Sequence, residues 1–474
     1  MELKPLFKDI AGAIREKDGT TEEIKAADFP GRILAIPAGG VTVEKLEITA
    51  PPTKTLYFRG ETFDPTGMAV WAELSNGYGV YVNHADLTFS PEGPLELGTD
   101  AVTVSFRWDK QVISTVQEIE VAEVPAVQIY GVEWDWDNGN STKGTRTDAS
   151  ADFPEPSPAV NNGTGSSPFD NLMPWAGMVK ETRAGGVEVK EPKYWFRWSK
   201  TGKKLKLQIA DGPVEGFHVD PVNMDRGDGL GELDFSYIGR YHCATDNWKS
   251  ETNNAPKWVV SRSAARTGIH GLGANFWQFD FAQYWYIGML FLVEFADWNG
   301  ERIGRGCSAS GSRENNGKTD AMQYHTGTTA ANRNTYGYTQ YRNIEGWWDN
   351  VYDWMDGCYY NSNGLNVVTN PNQFSDSANG TLVGKPSSGA GYPSNFTIPT
   401  ASGLEWALFP SAMSGSDTTY VPYRWAFDGS SPCLYHGGYF KQSQDHGPFY
   451  VGCITIAAAN STTGCRLQER PPKA

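Results

Sequence analysis

The sequence predicts a multidomain chain: a short helical N-terminus over 1–40, a β-sandwich over 41–125 and a large α+β domain over 126–474. Three observations predict it. Apolar residues first recur every four positions, the pattern switches to strict alternation after Val41, and beyond Tyr130 glycine, asparagine and aromatics crowd a region with few long periodic stretches. Before Trp134 the only tryptophans are Trp71 and Trp108, out of 17 in the chain. A length of 474 residues also exceeds what one hydrophobic core ordinarily serves.

The first element rests on Leu6, Ile10 and Ile14, one face of a short amphipathic helix that stops at Asp18-Gly19. Thr20 then opens a T-x-x-E pattern with Glu23, the signature of a capping box. Phe29, Ile33 and Ile36 continue the apolar face, and Pro37 with Gly39-Gly40 closes it. Forty residues bury too little surface to stand alone, so this hairpin is expected to pack on a partner or to oligomerise.

The second element rests on period two. In "AVTVSFRW" Val102, Val104, Phe106 and Trp108 alternate with polar residues, and in "MAVWAELS" Met68, Val70, Ala72 and Leu74 do the same. Short strands divided by Pro, Gly and Asn turns predict an immunoglobulin-like sandwich ending near Pro125. The stretch "PPTKTLYFRGETFDPTGMAVWAELSNG" resembles the bacterial Ig-like modules of phage and surface proteins. The resemblance implies a spacer or weak binder and assigns no site residue.

Composition excludes several classes. A net charge of −15 argues against a nucleic-acid partner, because tracking phosphates needs clustered Lys and Arg. "YWYIGMLFLVEFA" (Tyr284–Ala296) is too short to cross a membrane and contains Glu294, so it reads as a buried core helix. The charged "MELKPLFKDIAGAIREKDG" is unlike a secretory leader. Six cysteines without a C-x-x-C pair predict buried thiols rather than zinc or a disulfide scaffold. "NNGTGSSPFDN" and "KPSSGAGYPSNF" read as internal loops of the large domain.

Within that domain, "NIEGWWDNVYDWMDG" (Asn343–Gly357) places Ile344, Trp347, Trp348, Val351 and Trp354 at helical spacing. The expectation is a core helix with Asp349, Asp353 and Asp356 solvated at its flanks. A cation or sugar site built from those carboxylates and indoles is the competing reading. The segment is similar to the "EN-x-GNVxEWxDG" helix of C-type-lectin-like domains of the formylglycine-generating-enzyme branch, which includes adhesins diversified by retroelements. "YWYIGMLFLVEFADWNGERIGRG", "GLEWALFPSAMSGSDTTYVPYRW" and "GGYFKQSQDHGPFYVGCITIAAANSTTGCRL" resemble further motifs of that branch in the same order.

The resemblance implies a constant frame of Gly437, Gly438, Gly447, Phe449, Gly464 and Arg466. Between frame positions, Tyr439, Lys441, Gln442, Asp445, His446 and Tyr450 would face a ligand, joined by Tyr423, Trp425, Phe427 and Tyr435. Stiff aromatic area with adaptable polar groups suits a changeable binding surface.

Catalysis is not expected. The branch contains an oxidase whose copper needs two cysteines a few residues apart, and Cys453 and Cys465 are too far separated. No EPN or QPD calcium-lectin motif is present, and "WDN" at Trp348–Asn350 reverses the usual WND. His325, His436 and His446 lack a nucleophile at suggestive spacing, and G-x-S-x-G is absent. "RGD" at Arg226–Asp228 is a common tripeptide that could mimic an integrin ligand. The N-terminal "IAGAIREKDGT…FPGRILAI" resembles the start of tail proteins of phages infecting Gram-positive bacteria. Together the resemblances imply a phage tail receptor-binding protein of the virion, without a cofactor. It would be a homotrimer that contacts other tail proteins and a host surface protein or glycan. A structural tail or baseplate role is the alternative.

Overall fold

The structure, a computed structural model, describes every residue except 1–2, 19–20, 36–40, 124–125, 138–140, 308–310, 377–379, 386–388, 428–432, 442–445, 455–458, 460 and 473–474. Side chains at 3–6, 18, 27 and 34–35 are also outside the description. The expectations for Thr20, Ile36, Pro37, Gly39, Gly40, Pro125, Gln442 and Asp445 therefore fall outside the described residues, as does the side chain of Leu6. The fold is mostly β, 37% strand and 13% helix, arranged in several sheets with few helices. The chain divides into two compact units, Met1–Ala126 and Val127–Ala474.

In the first unit, α1 (Leu3–Asp18) and α2 (Phe29–Ala35) close a small cluster of Ala11, Ile14, Ile24 and Phe29. Phe7 and Ile33 remain exposed, so the predicted apolar face is only partly covered within the chain. Two three-stranded antiparallel sheets follow. One joins Val43–Ala50, Ala69–Leu74 and Gly79–Val82, and the other joins Leu87–Ser90, Ala101–Trp108 and Gln111–Glu118. The alternation read from the sequence decides what they bury. Val70, Ala72 and Leu74 from the first sheet, with Met68 just before that strand, share one core with Val104, Phe106 and Trp108 from the second.

The second unit is organised around α4 (Phe281–Phe295), which follows α3 (Arg262–His270). The Asp280 carboxylate caps α4 by accepting from the Gln283 N–H at 2.9 Å. Every residue of α4 is buried, as the apolar run from Tyr284 to Val293 predicts, and Gln283 near its start donates to the Glu191 carboxylate at 2.9 Å. Glu294 is the exception in chemistry only, because Arg342 grips both its oxygens at 2.6 and 3.0 Å. The helix packs against strands Ile129–Asp135 and Lys204–Ala210 of a five-stranded antiparallel sheet. It also packs against Tyr352–Asn361 of an eight-stranded sheet. In that sheet the order Tyr352–Asn361, Cys433–Gly437, Gly447–Ile454 runs antiparallel, and Trp425–Ala426 pairs parallel to the last.

The segment 343–357 departs from the predicted helix. Ile344–Glu345 is a short strand, 346–351 forms turns and bends, and Tyr352 opens the long strand Tyr352–Asn361. Asn343, Gly346 and Asn350 adopt φ of +70°, +66° and +68°, a left-handed backbone that a continuous helix cannot contain. The flanking acids are buried rather than solvated. Asp349 accepts from the Thr339 hydroxyl at 2.7 Å, Asp353 pairs with His242 at 3.0 Å, and Asp356 pairs with Arg266 at 2.6 Å.

Candidate ligand-binding site

Register puts Trp354, Tyr435 and Gly452 side by side across three strands, and pleating adds Tyr352 and Tyr450 to the same face. Asp353, His436 and Val451 therefore point to the opposite face. There His436 stacks on Phe279 at 4.9 Å, and Phe449, two positions before Val451, meets Phe291 of α4 at 5.6 Å. One strand trio thus packs on α4 on one side; on the other it carries Trp354, fully buried with Val260 and Phe276, and an aromatic cluster in which Tyr352 is only 4% exposed.

The cluster has five rings. Tyr352 sits 4.7 Å from Tyr435, 5.2 Å from Tyr439 and 5.8 Å from Tyr450, and the His446 and Tyr450 rings lie 3.8 Å apart. Tyr435 and Tyr439 are half-buried, and Lys441 beyond them is exposed, with its ammonium 5.7 Å from the Phe440 ring. His446 and Tyr450 retain only 8% and 7% exposure, so they wall the cluster more than they project from it. Burial pushes the Tyr435 phenol above its ordinary pKa. At neutral pH it stays a neutral donor and acceptor.

Glycines hold these rings in place. Gly437 adopts φ of +93°, and a Cβ on Gly438 would stand 2.6 Å from the Trp348 carbonyl. A Cβ on Gly447 would meet the Tyr423 ring at 2.3 Å, and one on Gly464 would meet the Lys257 carbonyl at 2.3 Å. Arg466 is fully buried beneath the frame. It pairs with Asp353 at 3.2 Å and donates to the carbonyls of Gly239, Arg240 and Glu345 at 2.8–2.9 Å. Burial alone would raise the Asp353 carboxyl, but His242 and Arg466 outweigh it and hold the group well below the usual carboxylate range.

Three predicted ligand residues belong to the core instead. Trp425 is fully buried beside Tyr284 and Phe396, and Phe427 packs on Tyr360 at 4.5 Å. Tyr423 is 3% exposed. Its hydroxyl accepts from the Gly300 N–H at 2.8 Å and donates to Asn299 Oδ1 at 3.0 Å. The short strand Trp425–Ala426 runs parallel to Gly447–Ile454 with the Trp425 indole turned inward, which the motif alone does not disclose. Tyr352 carries no motif of its own, although the alternation of Tyr352 and Trp354 around Asp353 is a strand signal.

The RGD tripeptide is structural. Arg226 is 2% exposed and pairs with Asp280 at 2.6 Å, while Asp228 pairs with Arg470 at 2.7 Å. Neither charge is offered to a receptor. Among the described residues no group of three or more His, Cys, Asp or Glu could hold a metal ion. In comparisons with known proteins, no family model and no curated sequence matches this chain.

Proposed function

We propose that this chain is a phage tail receptor-binding protein whose second unit recognises a host cell-surface ligand through the Tyr352, Tyr435, Tyr439, His446 and Tyr450 cluster. One observation carries the reading: five amphipathic rings gather on the face of a strand trio turned away from α4, with Tyr435 and Tyr439 half-exposed and Tyr352, His446 and Tyr450 buried behind them. Rings with few rotatable bonds supply contact area at low entropic cost, and a rigid scaffold lets neighbouring loop residues vary without disturbing the core. Lys441, exposed next to Phe440, adds an adaptable polar group at the rim.

In this reading the second unit is a C-type-lectin-like head, the strands of the first unit form an Ig-like spacer, and α1 with α2 attaches the protein to the virion. The exposed Phe7 and Ile33 favour association of those helices with copies of themselves. The resemblance to the variable adhesins makes the proposed assembly a homotrimer. The test is adsorption. Purified full-length protein should bind cells of a Gram-positive host and block phage attachment to them. A well-folded preparation that binds no candidate host and blocks no adsorption would instead support a purely structural tail component.

A further inference from the structure

The first unit presents an aromatic corner on the outer face of the sheet formed by Val43–Ala50, Ala69–Leu74 and Gly79–Val82. Val70, Ala72 and Leu74 go to the core, so Trp71 and Glu73 between them stand on the opposite face. Register places Glu47 and Tyr81 on either side of Trp71, and Lys45 and Gly79 on either side of Glu73. The Trp71 and Tyr81 rings lie 4.9 Å apart at 72°, two walls of a corner. A Cβ on Gly79 would overlap Cζ2, Cε2 and Nε1 of Trp71, so the indole lies across bare backbone and is held there. Solvent reaches both walls: Tyr81 is 61% exposed and Trp71 is partly exposed.

The charges beside the corner select its occupant. Lys45 is engaged by Glu47 at 2.7 Å, while the exposed Glu73 carboxylate has no hydrogen bond or ion pair among the described residues. One surplus negative charge therefore stands next to the rings. Elsewhere in this unit the Lys54 ammonium sits 4.9 Å from the Tyr57 ring, but among the described residues no Lys or Arg stands over Trp71 or Tyr81. An aromatic face attracts a cation through its quadrupole, and a neighbouring carboxylate adds to that attraction. A primary ammonium has three donors to satisfy, and Glu73 alone cannot replace the water it would lose. A quaternary ammonium has none, and its methyl groups suit the ring faces.

We propose that the Trp71–Tyr81 corner binds a quaternary ammonium cation. Its methyl groups lie against the two rings and its charge faces the Glu73 carboxylate. The inference rests on the first unit alone and is independent of the ring cluster in the second.

The test is saturation-transfer NMR on the full chain with choline chloride and with 3,3-dimethylbutan-1-ol, its neutral isostere, each at millimolar concentration and low salt. The choline methyl groups should receive transfer, and choline should bind about threefold or more tightly than the isostere. Trp71→Ala and Tyr81→Ala should each weaken choline about threefold or more, and Glu73→Gln about twofold. Tyr439→Ala should leave it unchanged. Thermal unfolding verifies that each variant is folded, and Tyr81→Ala, at an exposed position, keeps the test open should Trp71→Ala fail to fold. The proposal is overturned if choline receives no transfer, or if folded Tyr81→Ala binds it as the parent does. It is equally overturned if the isostere binds as tightly as choline, which would make the corner an apolar patch without preference for charge.

Discussion

The Tyr435 ring lies across Gly452 on the neighbouring strand, its Cζ only 2.5 Å from where a Cβ on Gly452 would stand. Glycine at 452 is therefore a condition for the ring's position. Gly452→Ala should push Tyr435 off the sheet and disperse the aromatic cluster, at a stability cost of about 1–3 kcal/mol typical of overpacking. Urea unfolding and host binding measured together check this. The expected result is a folded protein whose binding loss exceeds what its stability loss explains.

Burial separates residues that a motif alignment groups together. Trp425→Ala should destabilise the second unit by about 3–5 kcal/mol, since it empties a fully enclosed site. Tyr439→Ala, at a half-buried position, should cost no more than about 1 kcal/mol. Thermal denaturation of the two variants checks the contrast.

Arg466 neutralises Asp353 inside the protein and caps several carbonyls. Arg466→Met should cost about 3–5 kcal/mol, because it leaves the buried Asp353 carboxylate with His242 alone and strips the Gly239, Arg240 and Glu345 carbonyls of their shared donor. The double variant Arg466→Met with Asp353→Asn should recover part of that loss. Denaturant unfolding of the three proteins measures the coupling.

Stability should depend on pH through Glu191. Burial pushes its carboxyl up to about 8, against hydrogen bonds from Gln283 and Ser236. In the unfolded chain the group releases its proton near 4.5, while the folded state retains it until about 8. Its contribution therefore turns against folding as pH rises through that window. Glu191→Gln should stabilise the protein by about 2–3 kcal/mol at pH 7 and leave it nearly unchanged at pH 4. His436 acts oppositely. Burial lowers its pKa to about 3, so its contribution is lost as pH falls below about 6.5. Urea midpoints of the parent and Glu191→Gln between pH 4 and 8 separate the two effects.

The elements most legible in the sequence were those with a single uninterrupted period. The apolar run of α4 and the alternation in Ala69–Leu74 and Ala101–Trp108 each fix their burial pattern locally. The segment 343–357 misleads because tryptophans three and four apart mimic a helical face. Two asparagines and a glycine in left-handed geometry break that face, and Asn tolerates such geometry well enough to hide the break. The frame glycines and Arg466 were legible through resemblance, and packing supplies the reason for each. Tyr352 and Gly452 were not. Tyr352 joins the cluster from a strand about 80 residues upstream, through pairing that local pattern cannot reveal. Gly452 shows only as a glycine inside an apolar strand, a weak sign of close approach.

The central claim is that the ring cluster is the surface that meets the host. The most direct measurement is binding of labelled full-length protein to host cells, comparing the parent with Tyr439→Ala and Tyr450→Ala at matched folded fractions. The account predicts that each variant loses about 1–3 kcal/mol of binding free energy. It also predicts that Lys441→Ala loses less, as rim charges do. Parent-like host binding by both folded tyrosine variants would contradict it and place the receptor site elsewhere.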